Sequence, residues 1–289
     1  MDLDQKMMLF TYYKSFFPTK ELSKWLQIDE FREISFCLSD GKYLRYLTFL
    51  DYEEFEEKLI SFVPAKIDIG AVYDVIPEKN IHKQVVKREL VFDIDLTDYD
   101  RNCCKDKMVC KKCVVLIKVA VGLLDYSLRK ELGFKNIGFV FSGRRGLHCW
   151  VNDPYTKTFT ESERGDIVKF FNTCTEKSIF PEEYTKILMK YSDYMKEQNF
   201  EDVSTPFTTK DLYKKMFIKL DKDVTTSHIH LIKMPFCVHP SSGKLSVPID
   251  VEKIDSFSVD DVPSLQDVIN NPNILQPYIT ILKKWCSLK

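Results

Sequence analysis

Read as a β-strand, Leu90-Val91-Phe92-Asp93-Ile94-Asp95-Leu96 sends Leu90, Phe92, Ile94 and Leu96 to one face and Asp93 and Asp95 to the other. Two carboxylates side by side above a wholly apolar face are poor packing, because their charges repel unless a cation sits between them. A divalent metal meets that need: Mg²⁺ takes one or two carboxylates and completes its octahedron with water and substrate phosphates. The alternative is a half-exposed edge strand with solvated aspartates, and the segment alone leaves both readings open.

A chain of 289 residues can bury a large core, as one α/β domain or two smaller ones. Aromatic content is high and glycine scarce, which points to a compact globular protein. No apolar run approaches the roughly 20 residues needed to span a bilayer, so no membrane association is expected. The N-terminal Met1-Asp2-Leu3-Asp4-Gln5 lacks the basic start and small-residue cleavage site of a signal peptide. The nine cysteines, partly scattered through apolar segments at Cys37, Cys149, Cys174 and Cys237, fit reduced thiols in an intracellular compartment better than a disulfide framework. A formal net charge of −1 argues against a stand-alone tight binder of nucleic acid. Basic pairs occur at Lys111-Lys112, Arg144-Arg145, Lys214-Lys215 and Lys283-Lys284. Each alone is a solvated face; collected in one groove they would form a weak, salt-dependent phosphate track.

Helices are expected at Gln5–Phe17, stopped by Pro18, and at Leu22–Leu26. Arg32–Leu38 and Tyr43–Phe49 read as strands joined by Asp40-Gly41. A charged helix at Asp51–Phe62 ends before Pro64, and strands follow at Lys66–Val75 and Val86–Leu96. Val114–Leu132 reads as a long helix with Gly133 just past its end. Strands are expected at Ile137–Phe141 and Leu147–Val151 around a basic turn. The stretch 154–215 looks helical, with a capping box at Thr160 and Glu163 and a helix start at Pro181. Strands return at His228–Lys233 and Leu245–Ile249 around a Ser-Ser-Gly turn, and helices close the chain at Ser264–Ile269 and Ile274–Trp285. Strands precede and follow the helical block, so 1–153 and 216–289 are expected to form one α/β domain with 154–215 inserted.

Three further constellations carry chemistry. Ser142-Gly143-Arg144-Arg145-Gly146, followed by His148, offers backbone N–H groups, a hydroxyl and guanidinium forks suited to phosphate oxygens. A plain surface hairpin and a structural histidine are the bland alternatives. Downstream, Lys219, Asp221, His228, His230, Lys233 and His239 supply a carboxylate, imidazoles and ammonium groups. Strand alternation would put His228 and His230 on one face, but Asp93 and Asp95 are hard ligands that suit Mg²⁺ or Mn²⁺ rather than a His-based zinc. Finally, Cys103, Cys104, Cys110 and Cys113 make a soft thiolate set in a polar loop, suited to structural Zn²⁺; a reduced, metal-free loop is the alternative.

Together these segments resemble the catalytic small subunit of eukaryotic and archaeal DNA primase. The likeness is carried by Glu89 to Asp100 with the four cysteines after it, by Ser142 to Trp150, by Lys66 to Tyr73, and by Pro235 to Asp250. It runs from about Phe10 to Ile254, with the helical block as the divergent part. The resemblance implies an α/β primase–polymerase fold with a mixed sheet, a short helical insertion and a zinc-bearing loop. It implies metal-binding aspartates at Asp93, Asp95 and Asp221, and a nucleotide-binding hairpin comprising Ser142, Gly143, Arg144, Arg145, Gly146 and His148. Further nucleotide contacts are implied at His230, Lys233 and His239, with Glu33, Arg45 and Asp68 also facing the site, Glu33 among the catalytic residues. Lys219 stands where eukaryotic members usually carry arginine, which loses bidentate phosphate recognition.

The resulting expectation is a DNA primase making short RNA primers on single-stranded DNA from ribonucleoside triphosphates, by two-metal nucleotidyl transfer with Mg²⁺ or Mn²⁺. The implied partners are a large iron–sulfur primase subunit and the DNA polymerase α complex, in the nucleus. A repair-type primase–polymerase preferring deoxynucleotides, and a non-catalytic zinc-stabilised replication scaffold, are the alternatives.

Overall fold

The computed structural model describes residues 2–105, 107–177, 179–200 and 207–287. Two antiparallel sheets form its frame. The first contains β1 (Arg32–Cys37), β2 (Tyr43–Leu47), β3 (Lys66–Tyr73) and β4 (Val85–Lys87) in the order β2-β1-β3-β4. The second contains β5 (Leu90–Asp95), β6 (Ile137–Phe141), β7 (Gly146–Val151) and β9 (Val247–Pro248) in the order β5-β7-β6-β9. β8 (Ile232–Lys233) pairs with β3, setting Lys233 opposite Asp68. The α/β class stands as expected, although every pairing among the described residues is antiparallel, so helices and strands are mixed here but strand directions are not.

The single strand expected over Val86–Leu96 is two strands of two different sheets. The chain leaves the first sheet after Lys87 and enters the second at Leu90, and a buried ionic cluster occupies the crossing. Arg32 forks onto Glu89 at 2.7 and 2.8 Å, and its guanidinium also donates to the carbonyls of Gly70 and Leu26. Arg88 reaches Glu89 at 3.4 Å and donates to the His230 carbonyl at 3.0 Å. Attraction from Arg32, Lys157 and Arg88 outweighs burial and holds the Glu89 carboxyl far below its usual range. Removing one partner from such a cluster strands the others uncompensated, at a typical cost of about 3–5 kcal/mol.

On the second sheet, Leu90, Phe92 and Ile94 are sealed from solvent, and the Phe92 ring meets Phe171 edge-on at 6.0 Å. α4 (Val115–Tyr126) is buried on nearly all sides, and ends in a π-turn over Ser127–Glu131 rather than continuing regularly to Leu132. Gly133 follows in the left-handed region, as a helix stop requires. The helical stretch comprises α5 (Glu161–Glu176), α6 (Glu182–Lys190), α7 (Asp193–Glu197) and α8 (Thr209–Met216). Thr160 and Glu163 form the expected capping box, and Arg164 of α5 donates to the backbone carbonyls of Arg88 and Glu89, tying this helix to the crossing between the sheets. Near the N-terminus lie α1 (Leu3–Ser15), α2 (Thr19–Leu26) and α3 (Tyr52–Phe62); α9 (Lys222–Thr226), α10 (Leu265–Asn270) and α11 (Gln276–Ser287) follow the helical stretch. No helix among the described residues is long and apolar enough to cross a membrane.

Candidate active site

A cleft of about 360 Å³ lies between the polar faces of the two sheets. The first sheet contributes Lys66, Asp68 and Lys233; the second contributes Asp93, Asp95, Gly146 and His148. Ladder register explains the second set: Asp93 lies opposite His148 and Asp95 opposite Gly146, so the aspartate strand and the basic hairpin share a face and an end. Ser142 and Arg145 of the hairpin, with His230 and His239, complete the wall.

The two aspartates differ. Asp95 is neutralised: the Arg145 Nε–H contacts both carboxylate oxygens at 2.9 and 2.8 Å, and Oδ1 also accepts from the N–H and hydroxyl of Thr97. Asp93 has no such cation. His148 Nε2 stands 3.6 Å from its Oδ1, but burial, reinforced by Lys233 and Lys66, pushes this imidazole down to about 3 and leaves it neutral. Burial first, then the charges of Asp221, Asp95 and Asp98, push the Asp93 carboxyl up to about 7. Asp221 reaches this position because its N–H donates to the Asp93 carbonyl at 3.0 Å. Its side chain caps α9, accepting the N–H groups of Asp223 at 2.9 Å and Val224 at 3.2 Å. Of these three aspartates, Asp93 and Asp95 are the two hard oxygen donors that line the cleft, the number of carboxylates Mg²⁺ takes; Asp221 adds negative charge beside Asp93 but does not itself line the cleft.

Opposite the carboxylates the cleft is basic. The Lys233 ammonium donates to the Ser142 carbonyl, and burial lowers its pKa to about 8. His239 is pushed down to about 4 by burial and by the nearby Lys233, Arg144 and Arg145. The hairpin is closed by Ser142: its Oγ accepts the Gly146 N–H at 2.8 Å, and its own N–H donates to the Gly146 carbonyl. Gly143 sits at φ +88°, and a Cβ there would stand 2.9 Å from the Lys244 carbonyl oxygen, so the turn packs too tightly for any side chain. Ser242 bonds the Gly143 carbonyl at 2.7 Å, and Arg144 reaches Ser241 at 3.1 Å. Two buried polar atoms of cleft-lining residues, Asp68 Oδ1 and His148 Nδ1, have no hydrogen-bond partner within the chain, as expected where a ligand supplies it.

Other nominated residues lie elsewhere. Glu33 is wholly buried, bonded to Arg45 at 2.6 Å and to Tyr73 at 3.2 Å; neither Glu33 nor Arg45 lines the cleft. They share a sheet face with Asp68. Lys219 spans Tyr99 and donates to the Asp98 carbonyl at 2.7 Å, beyond the cleft wall. The stretch His228–Leu231 is not a strand, so His228 and His230 do not share a strand face; His228 bonds the Phe159 carbonyl instead. The basic pairs do not collect in one groove: Lys111, Lys215 and Lys283 pair with Asp260, Asp100 and Glu21, and of the four pairs only Arg144-Arg145 reaches the cleft. Sequence reading missed Lys66 and Tyr43, which hold Asp68 Oδ2 at 2.9 and 2.6 Å. The available signal was alternation: Tyr43 is two residues from Arg45, and Lys66 two from Asp68.

The four loop cysteines converge, with one sulfur each and all four atoms within 4.8 Å of one another. Cys113 Sγ stands 4.0 Å from Cys104 Sγ and from Cys110 Sγ, close to the roughly 3.8 Å edge of a tetrahedron with 2.3 Å Zn–S bonds. Cys110 is brought down to about 7: burial opposes its ionisation, but hydrogen bonds from the backbone at Cys113 and the thiols of Cys104 and Cys103 outweigh it. The cluster is compatible with zinc.

Comparison with known proteins gives this geometry a context. The family described as DNA primase small subunit matches residues 92–251. The DNA primase small subunit of Caenorhabditis elegans is 33% identical, over 89% of this chain and 85% of the relative. The Drosophila melanogaster protein of the same description is 31% identical over 92% and 81%, and that of Saccharomyces cerevisiae 28% over 96% and 90%. The chain therefore belongs to the DNA primase small subunit family and is a nucleotidyltransferase of primer synthesis.

Proposed function

We propose that this protein makes short RNA primers on single-stranded DNA by two-metal nucleotidyl transfer, with Asp93, Asp95 and Asp221 as metal ligands. The observation that carries the reading is Asp93: a carboxylate held near pKa 7 by burial and two flanking aspartates, facing a wall of cations across one cleft. Mg²⁺ or Mn²⁺ bound there would supply the charge that activates the primer 3′-hydroxyl and stabilises departing pyrophosphate. The chain's own residues bind and orient. Arg145 and Lys233 present fixed positive charge to phosphate oxygens, and the hairpin around Gly143 brings backbone close to them. His148, neutral across the working pH range, contributes a hydrogen bond rather than a charge. Asp68, with one oxygen tied to Tyr43 and Lys66 and the other unpartnered, offers an acceptor to a nucleotide hydroxyl. Arg144, Ser142, Gly146, His230 and His239 complete the nucleotide subsite. Glu33 and Arg45 pair with each other on the sheet face that carries Asp68, and Lys219 braces the Asp98 turn. The four cysteines hold one structural Zn²⁺ with no open position. Residues 154–215 form an insertion in one catalytic domain.

The family's description as a small subunit implies a large partner subunit, which we infer to be the iron–sulfur primase subunit, with the polymerase α complex beyond it in the nucleus. A near-neutral chain that borrows template affinity from a partner fits this arrangement. The test is incorporation of labelled ribonucleotides on a single-stranded template with Mg²⁺ or Mn²⁺, with and without the large subunit, against deoxynucleotides in parallel. Asp93→Ala should abolish incorporation without lowering the melting temperature in chelator, and Asp221→Ala should abolish it with only the modest loss of stability that removing the α9 cap entails. Near-normal synthesis by either variant at saturating metal would refute the assignment, and a preference for deoxynucleotides would refute the RNA product.

A further inference from the structure

A second cavity, of about 490 Å³, opens between α2, α11 and the far ends of β4 and β7, and shares no residue with the cleft. Asn152, on its wall, lies four residues beyond His148, about 13 Å along an extended chain. Lys24, Lys87 and Lys157 line the cavity and no carboxylate does. Lys24 and Lys87 are exposed, but Lys157 is 95% buried. Its ammonium stands 3.2 Å from Gln27 Oε1 and 3.4 Å from Glu89 Oε1. Glu89 is already bonded to Arg32 and Arg88, and Arg164 packs on its backbone. Three buried cations, Arg32, Arg88 and Lys157, thus share one carboxylate, leaving excess positive charge behind the cavity wall. The adjacent Asp153 does not offset it into the cavity; its carboxylate accepts the backbone N–H groups of Lys135 and Asn136. Asn152 Oδ1, also on the wall, is buried with no partner. The facing wall is aromatic. Trp285 lies over Gly138, where a Cβ would stand 3.0 Å from the ring, and it packs on Trp25 at 5.1 Å.

We propose that this cavity is a second nucleotide site, taking a nucleoside triphosphate with its phosphates on Lys24, Lys87 and Lys157 and its base against Trp285. Uncompensated positive charge selects the phosphates, the indole face selects an aromatic ring, and the unpartnered Asn152 oxygen offers an acceptor to an exocyclic amine. The site is separate from the cleft, and the inference does not rest on the primer-synthesis reading.

The chain carries its own reporter. All three tryptophans sit in this cluster, Trp150 at 5.4 Å from Trp25, and none lines the cleft. Tryptophan emission of the full chain is followed as ATP is added in chelator, corrected for absorbance, with inorganic tripolyphosphate as competitor. Saturable quenching, reversed by tripolyphosphate, is expected. Lys24→Glu with Lys87→Glu, both at exposed positions, should weaken it by about tenfold or more, and Arg145→Ala should leave it unchanged. The proposal is overturned by an unsaturable signal, by unchanged affinity in the double variant, by failure of tripolyphosphate to compete, or by loss of quenching in Arg145→Ala, which would place the ATP in the cleft. Displacement of ATP by a single-stranded oligonucleotide lacking a 5′-phosphate would overturn it in favour of a strand-binding groove.

Discussion

Asp93→Asn should stabilise the metal-stripped protein at alkaline pH while destroying primer synthesis. Burial and the neighbouring Asp221, Asp95 and Asp98 raise Asp93 from 3.8 to about 7 in the folded chain. Between those values the folded protein keeps a proton that the unfolded chain releases, so this residue's contribution to stability falls as pH rises from about 4 to 7 and stays low above. At about 1.36 kcal/mol per pH unit the ceiling is about 4 kcal/mol, and local relaxation and water entry bring the expected gain from asparagine to about 2 kcal/mol. For a chain of this size that is a rise in Tm of about 4 °C. The assay is thermal melting of both proteins in chelator from pH 4.5 to 8.5. The two curves should nearly coincide at the acid end, diverge through pH 5 to 7, and run parallel above. Excess Mg²⁺ should close the gap by stabilising only the native sequence. A difference that is flat with pH, or an asparagine variant that melts lower throughout, would refute the electrostatic account.

Arg145→Ala removes both the two-point contact with Asp95 and a cation from the nucleotide wall; steady-state primer extension should show nucleotide KM raised about tenfold or more, with template binding by anisotropy unchanged. Lost template affinity with normal nucleotide binding would move the hairpin to the DNA groove. Gly143→Ala must hold an L-residue at φ +88° with its Cβ 2.9 Å from the Lys244 carbonyl oxygen, and should lower stability by about 1–2 kcal/mol in denaturant melts; an unaltered midpoint contradicts this. Cys110→Ser should loosen the loop, lower Tm and reduce bound zinc, measured by metal analysis of protein purified under reducing, chelator-free conditions. Zinc near zero in the native sequence would end the zinc assignment.

What the sequence made legible was local. The alternation of Leu90 to Asp95 is a two-residue rhythm readable without any partner, and the hairpin at Ser142 to Gly146 announces itself by glycine spacing and charge. Boundaries set by distant contacts were not legible. Val86 to Leu96 reads as one strand, and only Arg32 and Arg164, 56 or more residues away, reveal why it breaks at Arg88-Glu89. The same holds for His228: its alternation with His230 mimics a strand, but the imidazole is claimed by the Phe159 carbonyl. Glu33 shows the limit from the other side. Likeness can nominate a residue, whereas only the fold shows that its charge is spent on Arg45, out of the cleft.

The backbone bond between Asp221 and Asp93 joins residues 128 positions apart. A ribosome adding about 5–20 residues per second emits the aspartate strand and the basic hairpin many seconds before the third carboxylate and Lys233. Lys233 lies in β8 itself, and β9, which completes the second sheet, arrives later still. Contacts of such long range also form late because of the loop that must close. Half-made chains that stop before Asp221 therefore carry Asp93 and Asp95 without the backbone bond that brings Asp221 to them. The proposed centre can assemble only after synthesis has passed Asp221 and the last strands of the two sheets, so translation itself acts as a safeguard against shorter fragments that could add nucleotides out of place.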